Sequence, residues 1–556
     1  QSSADPVLHF GVGKSAEIDI EVVWPDQTIQ VLTNVDANQT VTIEKSRGEP
    51  VSSENPVRRL FTLLDAESLG LDFFHEPAFL RDRIFNPLMP HTLSNLGPAL
   101  AAGDVNADGL EDLYVGGGQD QAGVLYLQKP DGTFAKTENR FFELHSRYDD
   151  TEAVFFDATG NGLPDLYVVS GGNFDQQNGE AYQDRLYINQ GFGNFQYRQN
   201  GLPQMHSSGD SVTLLDFNAD GMTDLFIGGR VTTGQYPSPP RSYLLQNNGG
   251  QFTDVTAQLA PELMRPGMVT DAVWVDADGD GLNELIVTGE WMPIRIFKQE
   301  DGVYTERTKE FGLQETGGWW NVLTVADITG NGLPDIIAGN RGSNSYLTAN
   351  KQAPAMLHYA DFTGNGLNDP LITNIENGKR VPFVSRDLFL RQLPEFEVSF
   401  PTYRSWAESD VDEILSQSRR KNPTTLSVHT FESSLFINQG DGTFRREALP
   451  AEAQAAPVFD IAVAGFFDGN RPDLLIAGNN FGFRPELGPS ADKGLLLRMN
   501  EERKYEPVAP RESGFYAIGD VRQIEWISTS AGPLFIIARY GDSLLPYLFR
   551  PQVQSP

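Results

Sequence analysis

The sequence predicts an all-β protein built from repeated four-stranded units. Three observations predict it. A nine-residue acidic loop occurs six times, each copy followed by a short apolar strand. The loop starts are spaced 53, 59, 60, 51 and 34 residues apart, and most of these intervals hold several strands. Gly and Pro number 54 and 35, a turn-rich content that favours many short strands over long helices.

The loops carry the chemistry. Side-chain oxygens fall at positions 1, 3, 5 and 9, and a Gly stands at position 6 of every copy. Loop 1 offers Asp104, Asn106, Asp108 and Asp112, with Leu110 at position 7. Loop 2 offers Asp157, Thr159, Asn161 and Asp165 around Leu163; loop 3 offers Asp216, Asn218, Asp220 and Asp224 around Met222. Loop 4 offers Asp276, Asp278, Asp280 and Glu284 around Leu282. Loop 5 offers Asp327, Thr329, Asn331 and Asp335 around Leu333; loop 6 offers Asp361, Thr363, Asn365 and Asp369 around Leu367. Alternate side chains plus the carbonyl of position 7 make an oxygen shell for Ca²⁺, and the Gly permits the sharp turn. A plain Asn/Asp/Gly turn is the competing explanation for any one loop, and six on a common frame weigh against it. Loops 1, 3 and 4 supply at least three carboxylates; loops 2, 5 and 6 supply two. The expected role is structural, pinning the strand before each loop to the strand after it.

Each unit reads as four strands: in the first, 99–104, 112–116, 124–128 and 133–136. That order suits a propeller blade. Two more units lack a full loop, one at 463–476 with Gly465 in place of the first carboxylate, the other at 523–537. Eight inner-strand candidates favour eight blades, with seven the alternative if the short fifth unit is partial. The propeller is expected over 98–550, with an insertion at 385–430 in which 385–396 and 408–420 have helical periodicity. Residues 17–24, 28–32 and 39–43 alternate apolar and polar, predicting a small antiparallel module over 1–45. Residues 46–97 form a linker and lead-in, with a short helix at 80–85.

Composition excludes several functions. The formal charge is −33, so nucleic acid and anionic membranes meet repulsion. No apolar run reaches the roughly 18 residues of a membrane span. Cysteine is absent, which removes disulfides and thiolate chemistry. The seven His form no HxxxH or HxH spacing, and His75 reads as a packed histidine. No nucleophile elbow or phosphate loop occurs. No catalytic residue is therefore assigned, and the chain reads as a non-enzymatic binding protein. A polysaccharide-active lyase or hydrolase is the alternative, and a scaffold subunit of a surface or outer-membrane assembly is a third.

A ligand face is expected opposite the loops. There the second strands end in Asn173, Arg230, Trp291, Arg341 and Asn480, and Gly317-Gly-Trp-Trp320 enters a first strand. Trp291, Trp319, Arg341 and Asn344 are expected to form one rim beside a gap left by the short fifth unit; packing between blades is the alternative for Trp291 and Trp319 and the favoured one for Trp320. Trp and Arg suit sugars or peptide carboxylates.

The loops followed by Asp-Leu-Tyr-Val-Gly-Gly at 112–117 and Asp-Leu-Phe-Ile-Gly-Gly at 224–229 resemble FG-GAP/VCBS repeats. The start, Leu8-His-Phe-Gly-Val-Gly13 with Val22-Val-Trp-Pro-Asp26 and Asn34-Val-Asp-Ala-Asn-Gln39, resembles the ASPIC/UnbV module. Bacterial surface proteins and cartilage acidic protein carry the two together. Phe400-Pro-Thr-Tyr-Arg-Ser405 and Arg511-Glu-Ser-Gly-Phe-Tyr516 are similar to the long bacterial members. The resemblance implies an exported, extracellular or cell-surface calcium-binding propeller with a protein or glycan ligand. Because the module begins almost at residue 1, the chain is read as the C-terminal part of a longer protein.

Overall fold

The computed structural model describes residues 12–13, 15–23, 29–44, 59–78, 82–174, 179–417, 423–467, 469, 471–488 and 490–551. It divides into two compact units, Gln1–Arg58 and Arg59–Pro556. In the first, Glu17–Val23 pairs antiparallel with Ile29–Asp36, and a bulge lies between Ile18 and Ile20. Asp19 Oδ1 accepts the backbone N–H of Asn34 across the pair at 2.9 Å. The third expected strand does not form: residues 41–44 have no ladder partner. Trp24, Pro25 and Asp26 lie outside the described residues.

The second unit is a seven-bladed β-propeller of four-stranded antiparallel sheets. The innermost strands are Leu100–Gly103, Asp150–Phe156, Ser208–Leu215, Met268–Val275, Gly318–Ala326, Val458–Ala464 and Asp520–Thr529. Each packs on the next and the last packs on the first, so the ring closes at seven. The closing blade takes its outermost strand from the lead-in. Phe61–Leu63 pairs with Leu545–Phe549. Phe61 is fully buried, its ring 5.3–5.5 Å from those of Phe466, Phe515, Phe535 and Phe549.

Seven blades rather than eight follow from where the chain leaves and returns. Blade 5 has Gly318–Ala326 and Asp335–Asn340, then recovers its outer strands only at Ser434–Asn438 and Phe444–Ala448. The insertion therefore spans 341–433, wider than the expected 385–430. It contains a four-stranded sheet of its own, ordered Lys379–Pro382, Asp369–Glu376, Ala355–Ala360, Thr424–Val428. Loop 6 belongs to that sheet, which mimics a blade locally but lies outside the ring. Helices follow at Arg386–Gln392, capped by Ser385, and at Val411–Gln417, with an unexpected one at Tyr403–Glu408 between them. The lead-in helix is Asp82–Phe85. No helix among the described residues is long and apolar enough to cross a membrane.

Six of the seven inner strands slip register at the same level, between Asp150/Glu152, Gly209/Ser211, Val269/Asp271, Trp320/Val322, Val458/Asp460 and Val521/Gln523. A bulge re-aims side chains. Here it turns Thr151, Glu152, Asp210, Thr270, Asp271, Asn321, Phe459, Asp460, Arg522 and Gln523 towards an axial cavity of about 130 Å³. The same residues staple neighbouring blades. Asp271 accepts from Ala272 N at 2.7 Å and from Leu323 N of the next blade at 2.8 Å. Asp460 does likewise with Ile461 N and Ile524 N, both at 2.6 Å.

Burial raises the Glu152 carboxyl well above its ordinary range and pushes Asp210 and Asp271 up to about 7 and Asp460 to about 6. A carboxyl raised in the folded state binds more protons folded than unfolded. Its contribution to stability is complete below the unfolded value near 4 and is lost as pH rises through about 7. With EGTA keeping the loops metal-free, the melting temperature is expected to fall between about pH 5 and pH 8. A flat or rising curve across that window contradicts this account.

Candidate metal loops and the opposite face

Each loop is a nest of backbone N–H groups closed on its first carboxylate. In loop 2, Asp157 Oδ1 accepts from Gly160 N at 2.7 Å and Asn161 N at 3.0 Å, and Oδ2 accepts from Gly162 N at 2.7 Å. Asp276, Asp327 and Asp361 do the same in their loops, while Asp104 and Asp216 accept from the fifth and sixth N–H only, position 4 there being Ala107 and Ala219. The sixth residue, Gly162 in loop 2, has φ 82°, a left-handed conformation that a side chain would strain. Position 5 accepts from the N–H of position 7: Asp108 from Leu110, Asn161 from Leu163, Asp220 from Met222, Asp280 from Leu282, Asn331 from Leu333 and Asn365 from Leu367. Position 3 accepts from position 5 where it is Asn106, Asn218 or Asp278. Thr363 is the exception among the threonines in reaching Asp361, at 3.4 Å; Thr329 Oγ1 is buried without a hydrogen-bond partner.

The ninth carboxylate has a second task. In loop 1, Asp112 Oδ2 accepts from Val105 N at 3.1 Å and Oδ1 from Gln128 N on the third strand at 2.9 Å. Asp165, Asp224 and Asp335 repeat this with Ala158 and Asn189, Phe217 and Asn247, Ile328 and Asn438. In blade 6, where Gly465 replaces the first carboxylate, Asp473 still bonds Phe467 N at 3.2 Å and Met499 N at 2.8 Å. Position 9 is thus a clamp between loop and third strand, present with or without a complete loop. Burial, with Asp108 and Asp104 adding repulsion, pushes Asp112 up to about 6.

Loop 4 has a carboxylate at each of positions 1, 3, 5 and 9. Oxygens of Asp276, Asp278 and Glu284 lie within 4.8 Å of one another. Lys298 Nζ sits among them, bonded to Asp278, 2.7 Å from Asp280 and 3.4 Å from Glu284 Oε1. That buried Oε1 has no hydrogen-bond partner. The donor set fits a hard divalent cation, with Lys298 supplying positive charge there now.

Two features of the loops escape the motif. Asn189, Asn247 and Asn438, at the ends of third strands, donate across blades to the position-2 carbonyl of the preceding loop: Val105 O at 2.8 Å, Ala158 O at 2.9 Å and Ala277 O at 2.7 Å. The Asn was visible in Leu186-Tyr-Ile-Asn-Gln190, but not its partner. Loops 1–5 also share one rim, whereas loop 6 is held at the other end of blade 3. Asn368 N donates to Gly234 O at 3.1 Å, and Gln235 Nε2 donates to Gly366 O at 2.9 Å. Gln392 Nε2, rather than a third-strand N–H, clamps Asp369.

On the opposite face the expected open rim is closed. Trp291 and Trp319 do come together, ring centroids 5.5 Å apart, but both are buried. Their cluster includes Leu93 of the lead-in, Leu357, Ile372 and Val428 of the inserted sheet, and Phe483, so the predicted gap is filled. Trp320 is buried elsewhere, against Phe436, with its Nε1 donating to Thr316 O. Arg341, Arg230, Asn173 and Asn480 are buried too; only Asn344 is exposed, bonded to Ala455 O. Asn173 donates to Asp82 Oδ1 at 2.7 Å and Arg341 lies 4.5 Å over the Phe483 ring.

Beneath this cover lies a polar hub that the sequence did not show. Glu290, fully buried, accepts from Arg230 Nη2 at 2.6 Å and Tyr236 OH at 2.5 Å, and His91 Nε2 stands 3.0 Å away. Trp291 Nε1 donates to the same Tyr236 oxygen at 3.0 Å, and Trp291 itself holds φ 59°. His75 is packed against Tyr540, and burial lowers it to about 4.

Residues 1–50 match the family model described as ASPIC and UnbV. Residues 104–168, 157–227 and 276–338 match the FG-GAP-like repeat. No curated protein matches the chain. Among solved structures it is similar to BBS1N in complex with ARL6DN, soaked with lead, at 9% identity and TM-score 0.40, covering 86% of this chain and 98% of that one. YCF48 bound to D1 peptide is similar at 9% identity and TM-score 0.40, covering 86% and 100%.

Proposed function

We propose that this chain, an ASPIC/UnbV and FG-GAP-repeat β-propeller, is a calcium-braced binding module that works outside the cell or on its surface. The observation that carries this reading is loop 4: three converging carboxylates around a buried Glu284 oxygen that no hydrogen bond satisfies. Asp276, Asp278, Asp280, Glu284 and the Leu282 carbonyl would hold the ion, and the corresponding residues of loops 1–3, 5 and 6 would act likewise. The ion supplies charge neutralisation and a fixed loop geometry. Loops of this kind bind weakly enough to fill where calcium is millimolar, which favours an exported setting. The ligand is a protein or a glycan, met on the exterior of the blades.

An enzyme acting on polysaccharide is the weaker reading. The axial cavity does contain Glu152, Asp210, Asp271 and Asp460. It is nevertheless far too small for a polymer chain, and Asp271 and Asp460 each hold two backbone N–H groups, so they are occupied as staples.

Lys298 gives a direct test. Lys298→Met removes a positive charge from the proposed site, so loop 4 is expected to bind calcium about tenfold more tightly, an effect of about 1.4 kcal/mol. Titration calorimetry on the wild type and variant measures it. Unaltered affinity, or no calcium binding by either protein, counts against the assignment.

A further inference from the structure

The chain is strongly acidic, yet one cleft is not. It holds about 460 Å³ between the lead-in, loop 6 and the helix Arg386–Gln392, and is lined by Arg83, Ile84, Pro87, Asn365, Arg391 and Gln392. Arg391 is exposed and makes no ion pair or hydrogen bond among the described residues. Arg83 donates from Nη2 to Gly482 O, and its Nε is buried without a partner. Gln392 Oε1 is likewise buried and unpartnered.

The nearby acids, Asp82 and Glu486, offset this group only in part. Asp82 spends its oxygens on Leu93 N, Ser94 Oγ and Asn173 Nδ2. Glu486 is exposed and forms no ion pair within 4 Å among the described residues. A third guanidinium stands behind the cleft: Arg484, which donates to Met89 O and Pro87 O. Burial, then the closeness of Arg83 and Arg391 against the opposing Glu486, holds it down to about 10. Arg484 is thus close enough to feel both Arg83 and Arg391, and Arg391, which lines the cleft, is wholly free.

We propose that this cleft binds an oxyanion, a carboxylate or sulfate group, through Arg391 and Arg83 with the Asn365 amide beside them; Gln392 Nε2 is held by Asp369 and its Oε1, an acceptor, takes no part. The planar guanidinium fork matches the oxygens of such groups, and an anion relieves the repulsion among the arginines. Only Ile84 and Pro87 give the lining an apolar character, so a greasy ligand fits poorly. The volume exceeds what a bare oxyanion needs and leaves room for a polar body such as an acidic sugar. The cleft shares Asn365 with loop 6, so the anion is tested both without and with calcium.

Calorimetric titration at low ionic strength with inorganic sulfate and with galacturonate, each in EGTA and again in calcium, tests the proposal. Saturable binding of at least one probe in EGTA is expected, weakening as salt is raised. Arg391→Glu is expected to reduce that affinity tenfold or more with an unchanged melting curve. Arg404→Glu, at an exposed arginine paired with Glu408 and not lining the cleft, is expected to change it less than twofold. Tighter galacturonate binding identifies an acidic sugar as the source of the oxyanion; tighter sulfate binding identifies a free anion. Should Arg391→Glu disturb folding, Arg391→Gln replaces it. No saturable binding, equal affinities for wild type and the Arg391 variant, or binding only when calcium is present would overturn the proposal; the last would put the anion on a loop metal.

Discussion

Removing calcium with EGTA is expected to lower the melting temperature more than any single substitution does. A ligand that binds only the folded chain stabilises it by mass action. With free calcium 100-fold above Kd, each independent loop contributes roughly 2.7 kcal/mol. The loops do not stand alone. Asn189, Asn247 and Asn438 grip the loop of the preceding blade, so a loop ordered by an ion also fixes the blade beside it. The loss is therefore expected to grow with the number of loops emptied and to saturate as calcium is restored. Asp280→Ala should remove the share of loop 4 alone. Asp441→Ala, in an exposed turn where the carboxylate caps Thr443, should leave the calcium dependence unchanged. Melting curves across a calcium series measure this, and a curve indifferent to EGTA refutes the structural role of the metal.

How much of this was legible in the sequence depends on the range of the interaction. The loops, their glycines and the strand after each are local, and their spacing shows in the residues themselves. The number of blades is not local. Loop 6 has the same nine-residue pattern as loop 5, but its sheet packs on Trp291 and Trp319 from outside instead of joining the ring. Counting motifs therefore counts one blade too many. The closing strand Phe61–Leu63 is only three residues long, too short for alternation to reveal. It is fixed by the four phenylalanine rings around Phe61, which come from blades 6 and 7 and from the segment entering blade 7.

The candidate site divides along the same line. Positions 1, 3 and 5 lie at the turn as the motif implies. Position 9 turned out to clamp the third strand as well, which needs a partner 15 or more residues away and shows best in blade 6, where the rest of the motif has gone. Strand-end residues Trp291 and Trp319 were correctly expected to meet, because blade topology alone places them. Their exposure was misjudged because the cover comes from the lead-in and the insertion. No period or spacing in the sequence announces that those two segments fold over one face.

The hub under that cover is buried and charged, so it is sensitive to a single substitution. Glu290→Ala is expected to destabilise the fold by about 3–5 kcal/mol, the usual cost of breaking a buried pair by removing one partner. The variant leaves Arg230 buried against Asp210 alone, with His91 and the Tyr236 hydroxyl deprived of their acceptor. Glu290→Gln does not repair this, since its amide would present a donor to donors. The same hub sets an acid limit. Burial by itself would raise the Glu290 carboxyl, but His91, Arg230 and Tyr236 overcome it and hold the group at about 2, against an ordinary 4.5. A depressed carboxyl stabilises the folded state fully above its unfolded value and loses that contribution as pH falls towards the folded one. The wild type should therefore lose stability between about pH 4.5 and pH 2 through this residue, and Glu290→Ala should be weaker at neutral pH with a shallower decline over that interval. Denaturant melts at pH 7 and along the acid limb measure both. A neutral-pH loss under about 1 kcal/mol, or an acid limb as steep as that of the wild type, would mean that Arg230 and His91 are held by something other than Glu290.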